Sequence, residues 1–295
     1  MHPELTLVKA HAYGNDFLLV HEEAVPSGAD RSALARAACD RHRGIGADGL
    51  IFHNWPTSND LQEKGTVTLF PPGAAVPVVV RMALLNADGS YSEVSGNGVR
   101  CLAAWVAEDA KLEAGAEVQV QTDAGPKTLT LLERREGELR FRAAMGQPEN
   151  VTRVRLDVDG DPHEVVTMRV GNPQCVALGP VTLERLHGLA SKLAVHPHFP
   201  HGTNVELATV EAPGRVRILI WERGVGPTEA SGTGACAAAV AAMTFGGASR
   251  DIEVVSPGGT QRVEWREEGL YLTGAAEIIA VCQWLPRTQA RTQAN

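Results

Sequence analysis

The sequence predicts an α+β fold of two pseudo-symmetric lobes, each a β-rich shell around one central helix. Three observations lead there. Short strand-like runs dominate the 295 residues, two serine-capped and glycine-lined turns each open onto an apolar helical run, and the order strands, capped helix, strands occurs twice. Strands are expected at residues 16–21 (DFLLVH), 78–85 (VVVRMALL) and 215–221 (RVRILIW), where apolar and β-branched residues run between turn residues. Helical patterns are fewer: residues 31–41 (RSALARAACDR), 183–193 (LERLHGLASKL), and the runs behind Ser95 and Ser231. The last two are apolar nearly all round, through Leu102, Ala103, Ala104, Trp105 and Val106, then Ala237, Ala238, Ala239 and Val240. Such a pattern predicts helices buried on every side.

Glycine and proline interrupt the pattern in AAMGQPEN, residues 143–150, which places the lobe boundary there. The expected N-terminal lobe, carrying Ser95, comprises 1–144 with 275–295; the C-terminal lobe, carrying Ser231, comprises 145–274. Residues 54–77 read as an irregular surface excursion, and the polar stretch after Trp284 as a frayed tail.

Charge excludes several functions. A net charge of -8, a pI of about 5.7 and the lack of any dense Lys/Arg block argue against nucleic-acid and anionic-membrane partners and for a small molecule. The amino terminus has no basic start followed by an apolar core, and the longest small-apolar run, GACAAAVAAM, is far short of the ~20 residues of a membrane span. Five scattered cysteines without a C-x-x-C pair fit reduced thiols, so the expected location is cytoplasmic.

A helix start leaves backbone N–H groups unpaired and carries partial positive charge, which attracts anions. In Ser95-Gly96-Asn97-Gly98 and Ser231-Gly232-Thr233-Gly234, glycine lets a carboxylate or phosphate approach those donors. Either motif alone reads as an ordinary serine N-cap. The pair stands among short polar, turn-rich segments: YGNDF with Asn15, RHRGIGADG, LLNADGS with Asn86, VGNPQC with Asn172 and Gln174, HGTNVE with Asn204, and WERGVGPTEASGTG with Glu222 and Arg223. Any one asparagine supplies a turn. Together with Arg223 for a carboxylate and Glu222 for an ammonium they suggest a site for a zwitterion.

These segments carry a resemblance to diaminopimelate epimerases, a group of cofactor-independent amino-acid epimerases, running from about Val8 to about Gly274 through HAYGNDF, HRGIGADG, NADGS, GNGVRC, GNPQC, GTNVE and ERGVGPTEASGTGAC. The resemblance implies inversion at an α-carbon, LL- to meso-diaminopimelate in lysine and cell-wall synthesis, with no cofactor and no metal. It implies that Asn86, Asn172, Asn204 and Arg223 hold the non-reacting end of the substrate, and that Asn15, Gly96, Asn97, Gly232 and Thr233 surround the reacting end. Glu222 matches an acidic residue beside the reacting carbon. Ser95 and Ser231 stand where the family has two proton-transferring cysteines, and Gln174 where it has a helper histidine.

The departure concerns chemistry. A thiol titrates near ~8.5 and a helix start lowers it further, whereas a serine hydroxyl needs an adjacent base. Cys101 and Cys236, inside the two helices, are not expected to reach the site. Three readings stay open: an epimerase with altered proton transfer, an amino-acid binder that does not turn over, or thiols deliberately replaced, against which Gln174 and the drift in HAYG and RMALLN weigh. An isomerase or lyase working with Glu222 as its one base is a further alternative, and a homodimer is left open. HPHFPH, with His196, His198 and His201, reads as an irregular loop rather than a metal site. His42 reads as a capping group at a helix end. No nucleotide-loop signature is present, and no lysine in the polar segments supports pyridoxal chemistry.

Overall fold

The computed structural model describes residues 4–54, 78–135 and 137–285. The surface excursion expected at 54–77 and the tail after Trp284 lie outside the described residues except at Asn54 and Leu285. The chain divides into two compact units, Met1–Leu139 with Ala276–Asn295, and Arg140–Ala275. It passes from the first to the second within the strand Glu138–Gly146 and returns within the strand Leu270–Trp284.

In the first unit, the end of the returning strand pairs antiparallel with Leu5–Ala12, which forms a hairpin with Asn15–His21 through Tyr13 and Gly14 at φ 57° and 82°. Both turn residues are left-handed, the geometry that matches the twist of a two-residue hairpin. The next pairings are parallel to Gly49–His53, antiparallel to Val78–Asn86, parallel to Glu117–Thr122 and antiparallel to Gly125–Arg135. Each parallel step needs a crossover. Arg31–Cys39 supplies the first and Gly96–Asp109, the Ser95 helix, the second.

The second unit repeats that pairing order. Glu149–Val158 pairs antiparallel with Asp161–Val170, and this antiparallel with Asn172–Leu178. Then follow a parallel step to Asn204–Ala212, an antiparallel one to Arg215–Glu222, a parallel one to Asp251–Ser256 and an antiparallel one to Gly259–Trp265. The helical turns Leu183–Arg185, Leu186–Ala190 and Ser191–Leu193 make the first crossover, and Gly232–Phe245, the Ser231 helix, makes the second. The helical pattern read at 183–193 is therefore present, with a wider π turn in its middle.

Alternation along the strands decides which side chains meet which helix. Val176, Ala208 and Ile220 join Ala235–Ala242 of the Ser231 helix in one core, while Cys175, Val205 and Leu207 pack against Leu186, Leu189 and Leu193 on the opposite face. In the first unit Leu18, Leu50 and Phe52 meet Ala35 and Ala38 of Arg31–Cys39. Both central helices are buried along nearly their whole length, although Trp105 is half-buried. Alanine and glycine dominate the Ser231 helix because strands approach it from several sides at once.

The helix expected over 31–41 stops at Cys39. Asp40 leaves helical conformation and its carboxylate accepts from the amides of His42 and Arg43, both at 2.8 Å. Asp40, and not His42, therefore organises this helix end. Just beyond it, a Cβ on Gly44 would stand 2.2 Å from the Ala37 carbonyl oxygen and 2.6 Å from that of Ala38. Gly44→Ala is expected to destabilise the protein by about 1–3 kcal/mol, seen as a lower denaturation midpoint at unchanged slope. Gly188, in the π turn with open space around it, is the converse: Gly188→Ala should stabilise by about 0.5–1 kcal/mol.

Candidate active site at two helix starts

At the start of the Ser231 helix the serine is extended, φ -140° and ψ 129°, and its Oγ accepts from the Gly234 amide at 3.2 Å. The Glu222 carboxylate stands at the end of the strand Arg215–Glu222, close enough for the same hydroxyl to favour its charged form. Burial raises the Glu222 pKa, with the Ser231 hydrogen bond working in the opposite direction. Glu222 is thus a better proton acceptor than an exposed carboxylate, beside a serine that caps the helix.

Around this pair the second unit assembles most of the residues expected there. Asn204 accepts through Oδ1 from the Arg223 amide at 2.9 Å, which fixes the turn that carries Glu222 and Arg223. The Arg223 guanidinium is exposed and donates to the His201 carbonyl at 3.2 Å. Gln174 is buried in register with Asn204 on the parallel strand and donates to Asn172 Oδ1 at 2.6 Å. Thr233 Oγ1 lies 3.5 Å from Ser231 Oγ, and Gly232 is buried against Leu272. Glu206, a residue without a role in the sequence motifs, also reaches this helix start: a Cβ at Gly234 would stand 2.7 Å from its Oε1. Its signal was present in NVELATV, a glutamate alternating with Asn204 and Ala208 on a face that must be inward if the apolar neighbours are core.

The Ser95 helix start has the same cap and different surroundings. Ser95 is extended, φ -126° and ψ 125°, and accepts from the Gly98 amide at 3.2 Å. Gly96 is exposed, with nothing within 4 Å of a Cβ placed on it, so the first turn is open to a ligand. Among the described residues, no carboxylate bonds to Ser95.

A continuous chain of contacts fixes the neighbours instead. Arg100 Nη1 donates to Asn97 Oδ1 at 3.3 Å, Asn97 Nδ2 to Asn15 Oδ1 at 3.3 Å, and Asn15 Nδ2 to Asp48 Oδ2 at 2.7 Å. Arg41 then joins Asp48 at 2.8 Å to Asp16 at 2.7 Å, and Lys9 closes on Asp16 at 3.1 Å. Asn86, at the end of its strand, pairs with Gly49 and donates to Ser90 Oγ at 2.9 Å.

The described cysteines offer no substitute thiolate. Burial pushes the Cys101 thiol up to about 12, and Cys236 is fully buried within its helix. Among the described residues no group of three or more His, Cys, Asp or Glu is arranged to hold a metal ion. His196 Nε2 lies 3.0 Å from the Asp157 carbonyl, and His196 Nδ1 accepts from the His198 amide at 3.1 Å. No described helix is long and apolar enough to cross a membrane.

Asp16 gives a pH test of the network. Burial alone would raise its pKa, but Arg41 and Lys9 outweigh that and hold it below the usual aspartate value. A depressed carboxylate stabilises the fold above its unfolded pKa and loses that contribution as pH falls through the folded value. Arg41→Met should cost about 1 kcal/mol near neutrality, allowing for the exposure of Arg41, and flatten the stability curve below about pH 4. Thermal unfolding across pH 2–7 checks both.

A family model for diaminopimelate epimerase matches residues 7–151 and 166–279. A protein from Desulfitobacterium hafniense named diaminopimelate epimerase is 36% identical, covering 93% of this chain and 96% of that protein. One of the same name from Desulforudis audaxviator is 36% identical, covering 95% of this chain and 99% of its own. Among solved structures, a hydroxyproline epimerase from Agrobacterium vitis matches with a TM-score of 0.66 over 96% of this chain and 93% of that one, at 14% identity. A methylitaconate-delta-isomerase matches with a TM-score of 0.63 over 99% of both chains, at 10% identity. At such identities the structural likeness speaks for the fold, and the closer sequence matches speak for the family. The chain belongs to the diaminopimelate epimerase family.

Proposed function

We propose that this protein is a cofactor-independent epimerase that inverts one α-carbon of a diaminopimelate-like amino acid, LL to meso, in lysine and cell-wall precursor synthesis. The observation that carries the reading is the Ser231 hydroxyl, bonded to a helix-start amide beside the half-buried Glu222 carboxylate. Glu222 takes the Ser231 proton as the serine oxygen takes the α-hydrogen, and Ser95 occupies the second acid/base position. The amides of Gly96 and Asn97 and of Gly232 and Thr233 receive the carboxylate whose negative charge grows as the α-carbon is deprotonated. Asn86, Asn172, Asn204 and Arg223 hold the other amino-acid end. The cytoplasm is the proposed compartment and a homodimer the proposed assembly, the latter checked by light scattering.

The contrast between the serines favours one variant of this reading. Ser231 has a carboxylate partner and Ser95, among the described residues, has none, so one face of the substrate is served by a base and the other by a hydroxyl alone. Proton exchange on the Ser231 side is then faster than inversion.

The decisive measurement is NMR of LL- and meso-diaminopimelate in heavy water with purified protein, beside thermal-shift binding. α-Hydrogen exchange is expected, ahead of inversion; binding without any exchange would leave a non-catalytic binder. Ser231→Ala should lower exchange by about 100-fold or more and cost about 1 kcal/mol of stability through the lost cap. Ser95→Ala should carry the same stability cost while abolishing inversion and sparing exchange. Cysteine at both positions should raise the inversion rate, and a further Gln174→His change shows whether the missing imidazole still limits it.

A further inference from the structure

Glu206 is fully buried in the strand Asn204–Ala212, and among the described residues neither of its carboxyl oxygens has a partner of hydrogen-bonding geometry. Its neighbours across the sheet are Val176 and Ile220, both in the core around the Ser231 helix, so its side chain shares their face. There Oε1 lies against Gly234, whose amide caps onto Ser231. The Glu222 charge acts directly on it.

The surroundings supply little to balance an anion. The strand Asn172–Leu178 brings Gln174 and Cys175, the strand Arg215–Glu222 brings Glu222, and the Ser231 helix brings Ser231 and Cys236 and no charged side chain. On the far side the turns Leu186–Ala190 carry His187, which rests edge-on against Trp221. Arg215 and Arg217 are engaged with Glu211. Burial first, and Glu222 second, hold the Glu206 pKa well above the carboxylate range, tempered by its own amide without reaching hydrogen-bond geometry.

Two carboxyl groups that feel each other's charge, one fully buried and the other half-buried, titrate as a pair. Glu222 has the Ser231 hydroxyl to stabilise its charge and Glu206 has no such donor, which decides where the proton resides. We infer that Glu206 is a positioning residue for Ser231: it carries the single proton of a Glu206–Glu222 pair and so keeps Glu222 the anion that receives the serine hydroxyl. This rests on the reading of Glu222 as the acceptor in turnover. Gln174 Oε1, also buried and without a partner among the described residues, marks the same shortage of donors in this unit.

A carboxyl whose folded pKa is raised stabilises the fold at low pH and loses that contribution as pH climbs from the unfolded value, about 4.3, towards the folded one. Full-length protein with 13C-carboxyl glutamate is titrated by NMR as wild type, Glu206→Gln and Glu222→Gln, with thermal unfolding at each pH. The expected result is one carboxyl that titrates above the exposed glutamates, vanishes in Glu206→Gln and moves to lower pH in Glu222→Gln. The Tm of Glu206→Gln should gain on wild type as pH rises from 5 to 9. Should Glu206→Gln fail to fold, Glu206→Asp keeps the group and should show the same downward shift when combined with Glu222→Gln. A Glu206 that titrates with the exposed glutamates, or equally with and without Glu222, overturns the inference. A coupled pair in a protein that exchanges no α-hydrogen sinks the epimerase reading alone; exchange with an uncoupled Glu206 sinks the pair alone.

Discussion

A helix buried on all sides must still begin somewhere, and its first amides cannot go unpaired in a dry interior. That constraint governs both units. The serine hydroxyl satisfies one amide, glycines leave room at the turn, and the remaining donors face whatever occupies the open side. Closing the open side over either helix start without a new acceptor would leave those amides unpaired and cost stability. At Ser95 the opening is visible in the exposed, uncrowded Gly96.

Burial also sets the chemistry at Ser231. A carboxylate in water is too weak a base to help a serine, but partial removal from water raises Glu222, each pKa unit being worth about 1.4 kcal/mol between protonation states. The hydroxyl that caps the helix is the one beside that carboxylate: its oxygen gives a lone pair to the Gly234 amide and still has a proton to offer.

The two units share an order of strand pairings and differ in what surrounds their serines. Around Ser95 the charged groups form a ladder from Arg100 to Lys9 in which each carboxylate meets a cation, a rigid frame for Asn15 and Asn97. Around Ser231 the fully buried Glu206 carboxyl feels the Glu222 charge, an arrangement that costs stability unless one of the two stays protonated. A repeated architecture thus holds one end whose carboxylates meet cations and one end where a fully buried carboxyl faces another carboxyl.

The sequence by itself determined the two capped helices, the strand-rich shells and the motifs that mark the family, because these follow from local periodicity and cap chemistry. It also singled out Asn15, Asn97, Asn172, Asn204 and Glu222, since turn residues announce themselves. It overran the helix at Cys39, where only the hydrogen bonds of Asp40 to two following amides show why the chain turns away. It left Glu206 without a task, because the meaning of that residue depends on strand register and on a glycine 28 positions later. Tertiary structure alone decided that Glu206 is fully buried and that the Ser231 hydroxyl stands beside a carboxylate. Both depend on side chains brought together from separate strands, and neither arrangement exists in an unfolded chain.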